Sequence, residues 1–403
     1  MPTIKFHTLG CKVNQYDTQS IRERFLERGF KEGRSGIKSD FYLINTCTVT
    51  SVADQKSTGL IRRCASENPK AVIIVTGCMV KKDRPRLAGI KGVSAIIEKS
   101  FFSEGISDFC SHTRAFLKIQ DGCDNFCSYC KVPLVRGRSR SRPLNTVTDE
   151  AAKLAKKGFK EIVLTGICLG AYGRDLSPKI SLVEVINELE KINGILRIRL
   201  SSIEARDMTD ALIAKMAGSK KLCPHLHIPI QSGDDEILKK MQRSYTRSFY
   251  LKLIRKLKSR IPHLSITTDC LVGFPGEEDR HFKKTLELVN KIIPLKVHIF
   301  PYSAREGTLA YAKPGLSLPS SVVKERIAVL KKAADSSAKA YKERFLGRKL
   351  AVLFEARLKE GKDYWEGYSD NYIKVLRKSK ICLKNKLACV KLEKLQGDDV
   401  LAS

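Results

Sequence analysis

Residues 116–130 read FLKIQDGCDNFCSYC, an apolar run that ends at Gly122 and opens into three closely spaced cysteines. Cys123, Cys127 and Cys130 have the spacing C-x3-C-x2-C. Three thiolates in one short loop can cap three corners of an iron–sulfur cube, whereas a structural zinc needs a fourth ligand nearby. The loop itself offers no fourth Cys or His. The nearest candidates, Cys110 and His112, lie before the strand. An iron left without a protein thiolate is open to a small molecule.

Downstream, the same strand is the first of six similar runs: FLKIQDG, EIVLTG, RIRLSS, HLHIPIQS, SITTDCLVGF and VHIFPYS. Helical stretches such as TVTDEAAKLAKKG and SLVEVINELEKI separate them. Six strand–helix units in succession predict a partial, TIM-like (β/α) barrel of parallel strands. A long helix near residues 320–345 closes the series. From about Gly347 the texture changes to short alternating segments, KLAVLFEARL, YWEGYSDNYIKVL and LACVKLEKL, which predict a small antiparallel β-barrel.

Upstream, TIKFHTLG, FYLINTC, AVIIVTGC and VSAIIE are near-continuous apolar runs separated by helical patterns. Such strands belong in a parallel sheet covered on both faces, so the N-terminal region is expected to be a doubly wound α/β domain. Cys11, Cys47 and Cys78 each fall just past the carboxyl end of one of the first three strands. Parallel strands open their carboxyl ends on one sheet edge, where such folds bind ligands. Three thiols distant in sequence should therefore converge. The expected divisions are residues 1–105, 106–343 and 344–403.

The 403 residues carry 74 Lys and Arg against 43 Asp and Glu, a net charge of +31. That surplus points to a polyanionic partner such as nucleic acid. No stretch approaches eighteen apolar residues and the start lacks a signal-type apolar region, so no membrane association and a cytoplasmic location are expected. In a reducing compartment thirteen cysteines do not form a disulfide framework. Cys64, Cys110, Cys168, Cys223, Cys270, Cys382 and Cys389 lack ligand spacing and are expected to be buried free thiols.

The segment CDNFCSYC resembles the signature of radical S-adenosylmethionine (radical SAM) enzymes. In these, a 4Fe-4S cluster binds the amine and carboxylate of SAM, and reductive cleavage gives a 5′-deoxyadenosyl radical. TLGCKVNQYDT, INTCTVT and VTGC resemble the cysteine motifs of the methylthiotransferase family. RGRSRSRP, LTGICLGAYG, RIRLSSIE, PHLHIPIQSGDDEILKKM and VGFPGE continue that pattern. EGYSDNYIKV resembles the TRAM domain, a small RNA-binding β-barrel. The resemblance implies two 4Fe-4S clusters, one on Cys123, Cys127 and Cys130 and a second on Cys11, Cys47 and Cys78. It further implies that Tyr129 packs near the adenine of SAM, that Gly166, Gln231, Ser232 and Gly233 approach SAM in strand-end turns, and that Glu204 holds its ribose. No catalytic residue beyond the cluster ligands is expected. The chain departs from the family at Cys168, where histidine is expected, and at Met79, Val80, Lys131 and Leu134.

Within this family, the implied reaction inserts sulfur and a methyl group at carbon two of threonylcarbamoyladenosine beside the tRNA anticodon. Related members act on isopentenyladenosine or on a ribosomal protein aspartate. The partners implied are a tRNA anticodon stem-loop, an electron donor such as flavodoxin or ferredoxin, and a sulfur donor that the residues do not identify. Arg136, Arg138, Arg140 and Arg142 suit contacts to phosphate or RNA bases. Trp365, Tyr368 and Tyr372 offer further stacking surfaces. His225 and His227 are expected to fill the barrel, and Asp269 is a candidate polar contact. A non-catalytic iron–sulfur RNA-binding sensor is the alternative from a different class.

Overall fold

The computed structural model describes residues 1–98, 105–109, 112–312, 317–358 and 363–403. Cys110 lies outside the described residues. The N-terminal sheet comprises β1 (Thr3–Thr8), β2 (Lys31–Glu32), β3 (Phe41–Thr46), β4 (Val72–Gly77) and β5 (Val93–Ile96), all parallel, in the order β2-β1-β3-β4-β5. Alternation decides the two faces. Ile4, Leu43 and Ile74 point to one side and pack on Ile21 of α1 (Lys12–Glu27). Tyr42, Ile44, Ile73 and Val75 point to the other. They meet Ile61 of α2 (Ser51–Glu67) and Leu87 of α3 (Val80–Ala88). The domain is doubly wound, as the continuous apolar runs predict.

The central domain begins with β6 (Arg114–Lys118). A short ribbon of β7 (Gln120–Asp121) and β8 (Arg140–Ser141) follows, with α4 (Val132–Arg136) inside its loop and α5 (Leu144–Lys156) after it. The barrel continues through β9 (Glu161–Thr165), β10 (Arg197–Leu200), β11 (His225–His227), β12 (Ser265–Val272) and β13 (Lys296–Pro301). Between these strands lie α6 (Leu182–Lys191), α7 (Asp210–Gly218), α8 (Asp235–Lys240), α9 (Arg247–Arg260) and α10 (Asp279–Ile292). The strands form two parallel sheets, β6-β9-β10 and β11-β12-β13, bridged at Ser202 and His227. One apolar core runs through both.

Helix α11 (Ser320–Glu343) leads into a closed barrel of β14 (Lys349–Arg357), β15 (Tyr364–Ser369), β16 (Lys374–Lys378), β17 (Leu387–Gln396) and β18 (Asp399–Ala402). Its pairings are antiparallel except β16 with β18, which run parallel, so the expectation of a purely antiparallel barrel is corrected there. The closing strand returns beside β16 in the same direction, which seals the edge that β16 would otherwise expose.

Candidate functional site

Each N-terminal thiol sits where a strand gives way to a helix. Cys11 is the N-cap residue of α1, Cys47 follows β3 and Cys78 follows β4. Helices α1 and α2 leave toward opposite faces, so Cys11 and Cys47 flank the point where the strand order reverses. Asn14 ties this edge together. Its Nδ2 donates to Leu9 O at 2.6 Å and Thr46 O at 3.1 Å, and its Oδ1 accepts from Cys78 Sγ at 3.7 Å. Arg136 reaches over from α4 and donates to the same Oδ1 at 2.5 Å and to Asp121 at 2.7 Å. Burial pushes the Cys47 thiol up, Cys78 and Cys11 add to that, and the Arg136 guanidinium opposes it.

The second set of thiols needs only one loop. Cys123 N donates to Gly137 O at 3.1 Å and Cys130 N to Cys127 O at 3.0 Å, which folds the loop back toward α4. Gly122 holds the crossing at φ +75°, where an added Cβ would lie 1.9 Å from Arg138 O. Arg243 Nη1 donates to Cys127 Sγ at 3.2 Å, and the same guanidinium pairs with Glu204. Burial pushes Cys130 up to about 12. It also raises Cys127, against the pull of Arg243. His112 is exposed and packs on the buried rings of Phe109 and Phe116, not on the loop.

The donor sets fit iron–sulfur clusters. Each offers three thiols and one buried arginine within reach of them, and a guanidinium offsets the charge that thiolate ligation brings. Cys168 lies against Cys123, with Asp207 Oδ2 3.5 Å from its sulfur. A hydrogen bond from Cys168 to Cys123 is the main cause that lowers the Cys123 thiol and raises Cys168.

Tyr129 is half-buried beside Phe274, packed against the cluster of Met241 and Ala310. Glu204 follows β10 and is held by Arg243. Gly166 follows β9 and lies against the Gln120 side chain, whose Oε1 accepts from the backbone N–H groups of Ile167 and Cys168. Gln231 adopts a left-handed φ of +58°. Ser232 is buried, and Gly233 lies against the backbone of Lys284 and Thr285.

The four arginines divide. Arg136 is buried between two domains. Arg142 is enclosed by Glu150 at 2.6 Å, the Tyr16 hydroxyl at 2.9 Å and Lys118 O at 2.7 Å. Both join the N-terminal domain to the barrel, which leaves Arg138 and Arg140 as the exposed pair. Arg138 lies over the Phe126 ring at 4.7 Å. Lys131, a departure from the family pattern, is buried, 3.3 Å from Thr48 and 3.6 Å from Asp83 of the N-terminal domain.

Two further expectations are corrected. Cys382 and Cys389 are exposed, Cys389 because it falls on the outward-facing register of β17. Trp365 belongs to the core of the closed barrel. Tyr368 and Tyr372 stack on each other at 5.0 Å, and Tyr372 stacks on His225 at 4.4 Å. These tyrosines face the central barrel, with the Arg114 guanidinium over both rings. Arg114 pairs with Glu355 at 2.5 Å and Arg199 with Glu161 at 2.6 Å, so ion pairs bind this floor together.

Above the floor lies a cavity of about 780 Å³. Cys11, Cys47 and Cys78 open on one side of it. His227, Asp269 and His298 line another side, and Tyr372 lies at the floor. No pattern in the sequence singles out Arg243 or Arg136 as thiol partners. Asn14 and His298 stand within quoted motifs without an assigned role.

Residues 117–289 match the family described as the Radical SAM superfamily, and residues 3–98 match uncharacterized protein family UPF0004. The chain is 39% identical to the threonylcarbamoyladenosine tRNA methylthiotransferase MtaB of Bacillus subtilis (strain 168), over 98% of this chain and 94% of that one. The protein of the same name from Thermotoga maritima is 38% identical, with 93% and 91% covered. A tRNA-2-methylthio-N(6)-dimethylallyladenosine synthase of Clostridium tetani is 35% identical, with 91% and 88% covered. Among solved structures, the radical S-adenosylmethionine methyltransferase TsrM from Kitasatospora setae superposes with a TM-score of 0.53 at 13% identity, covering 77% of this chain and 76% of that one. That last likeness is one of fold.

Proposed function

The chain belongs to the methylthiotransferase family of radical SAM enzymes, and from that premise we propose that it converts threonylcarbamoyladenosine in tRNA to its 2-methylthio form. The observation that carries the proposal is the cavity over the barrel floor, lined by Cys11, Cys47 and Cys78. The N-terminal thiols open into the lumen of the barrel whose first loop carries the other three. Cys123, Cys127 and Cys130 hold one 4Fe-4S cluster and Cys11, Cys47 and Cys78 the other. The bound clusters and S-adenosylmethionine supply the one-electron chemistry, the sulfur and the methyl group that an unactivated aromatic C–H requires.

The protein's own residues position and insulate. Arg243 and Arg136 compensate thiolate charge, Asn14 fixes the edge on which three ligands sit, and Tyr129 closes the apolar pocket behind the loop. Arg138 and Arg140, with the surplus of cations, attract the anticodon stem-loop. A cytoplasmic enzyme with a flavodoxin- or ferredoxin-type donor completes the proposal. Among the described residues no helix is long and apolar enough to cross a membrane.

Anaerobic reconstitution tests the ligand assignment. About eight irons per chain are expected, falling to about four when Cys123, Cys127 and Cys130 are all replaced by alanine. Four in the parent, all lost in the variant, would remove Cys11, Cys47 and Cys78 from the ligand set. Failure of the reconstituted enzyme to methylthiolate threonylcarbamoyl-bearing RNA would overturn the substrate.

A further inference from the structure

The cavity wall formed by β11, β12 and β13 is polar. His227, Asp269 and His298 present ligand-capable atoms within 4.8 Å of one another. The ring of His227 is held on both sides, by Thr267 Oγ1 at 2.9 Å on Nδ1 and by Asp269 Oδ2 at 3.2 Å on Nε2. Lys296 stands two residues before His298 on β13, on the same face, and lines the same cavity. Lys12, the residue after Cys11, lines it from the N-terminal domain.

These lysines differ from the arginines beneath them. Arg114 and Arg199 are saturated by Glu355 and Glu161. Lys12 and Lys296 are both exposed, and among the described residues neither side chain has an ion-pair or hydrogen-bond partner. Both also act on His298. Burial foremost holds that imidazole below its ordinary value, and His227, Lys296 and Lys12 press it further down against the opposing pull of Asp269. The two ammonium groups therefore lie within Coulombic reach of the trio.

A divalent cation on the trio would gain one carboxylate and face two ammonium groups. A prenyl group would desolvate all five side chains and pair with none, a loss that sites built on hydrogen bonds use to reject apolar analogues. A ligand with a carboxylate and separate hydrogen-bond donors satisfies the wall.

We infer that Lys12 and Lys296 bind the carboxylate of the amino-acid group on the modified adenine, while Asp269 accepts from its hydroxyl or amide and His298 flanks it. The inference rests on the substrate proposed above and assigns the residues that select it.

The test uses two anticodon stem-loop RNAs that differ only in a threonylcarbamoyl or an isopentenyl group on the target adenosine. Their equilibrium affinities and single-turnover methylthiolation are measured with the reconstituted enzyme and its Lys296→Gln, Lys296→Arg and His298→Phe variants. Lys296→Gln should weaken binding of the threonylcarbamoyl RNA by about 10- to 100-fold, the span of one charged hydrogen bond. It should leave the isopentenyl RNA within about twofold, and Lys296→Arg should restore most of the loss. His298→Phe should narrow the preference in the same direction. Equal weakening of both RNAs by Lys296→Gln would make Lys296 a backbone phosphate contact and overturn the assignment. So would unchanged discrimination, or a stoichiometric divalent metal retained after dialysis and lost in Asp269→Asn. A parent enzyme that modifies only the isopentenyl RNA would instead refute the proposed substrate.

Discussion

The two sets of thiols reach the same arrangement by opposite routes. Cys123, Cys127 and Cys130 come from one loop of eight residues, closed by backbone hydrogen bonds to Gly137 and within the loop itself. Cys11, Cys47 and Cys78 come from three strand ends and exist as a set only once β1, β3 and β4 are in register. The local set needs little of the fold to form and needs the barrel to enclose it. The dispersed set is a product of the fold, and anything that loosens the sheet edge scatters it. The enclosing arginines differ in the same sense. Arg243 serves its own domain, while Arg136 crosses from the barrel to the N-terminal thiols.

If the sets do different chemistry, single ligand losses should separate them, and this is the largest effect expected. Cys127→Ala should abolish both methylthiolation and reductive cleavage of S-adenosylmethionine, each by about 10³-fold or more. Cys47→Ala should abolish methylthiolation to the same degree and leave cleavage to 5′-deoxyadenosine within a few fold. Product analysis of both reactions in both variants decides it. Parallel loss of both activities in Cys47→Ala would erase the distinction.

The arginines sharpen the comparison next. Arg136→Met removes the guanidinium that bridges Asp121 and Asn14 Oδ1, and Arg243→Met removes the one that bridges Glu204 and Cys127. Breaking a buried pair from one side costs about 3–5 kcal/mol. Arg136→Met should lose the N-terminal iron and open the contact between domains, seen as faster proteolysis of the N-terminal domain. Arg243→Met should lose the loop's iron with that contact intact. Iron counts combined with limited proteolysis distinguish the two outcomes.

What the sequence could show follows the same division. Apolar runs, the spacing of Cys123 to Cys130 and the strand-end positions of Cys11, Cys47 and Cys78 are local features, and all are legible. The fate of Arg136 and Arg142 was not. Both stand in a run of four arginines that looks like an RNA footprint, yet the partner of Arg136 is Asn14, 122 residues away, and that of Arg142 is Tyr16, 126 away. No period or spacing encodes a pairing between domains. The same holds for Tyr368 and Tyr372, whose rings read as RNA platforms but stack against His225 and Arg114. The polar wall of the cavity was half visible. His227 and Asp269 are legible on their strands, and only the fold brings Lys12 to the same space.

The smallest effect concerns the backbone turns that deliver each set. Gly77 precedes Cys78 at φ +107°, and an added Cβ would lie 2.4 Å from both the N and O atoms of Thr46, the last residue of β3. Gly122 precedes Cys123 under a similar constraint. A left-handed conformation costs a non-glycine residue about 1–3 kcal/mol, and backbone atoms this close leave a methyl group no way to yield. In Gly122→Ala the strain falls on a loop that can shift with its own three thiols, so unfolding temperature should hardly change while the loop's iron is lost. In Gly77→Ala the methyl group must push β4 from β3, and the register of the sheet is what places all three N-terminal thiols. Thermal unfolding of the apoprotein should therefore fall for Gly77→Ala and stay near the parent for Gly122→Ala. Equal destabilisation by both would mean that the loop is as deeply built into its domain as the sheet edge is, and the contrast between a local and a dispersed set would not hold.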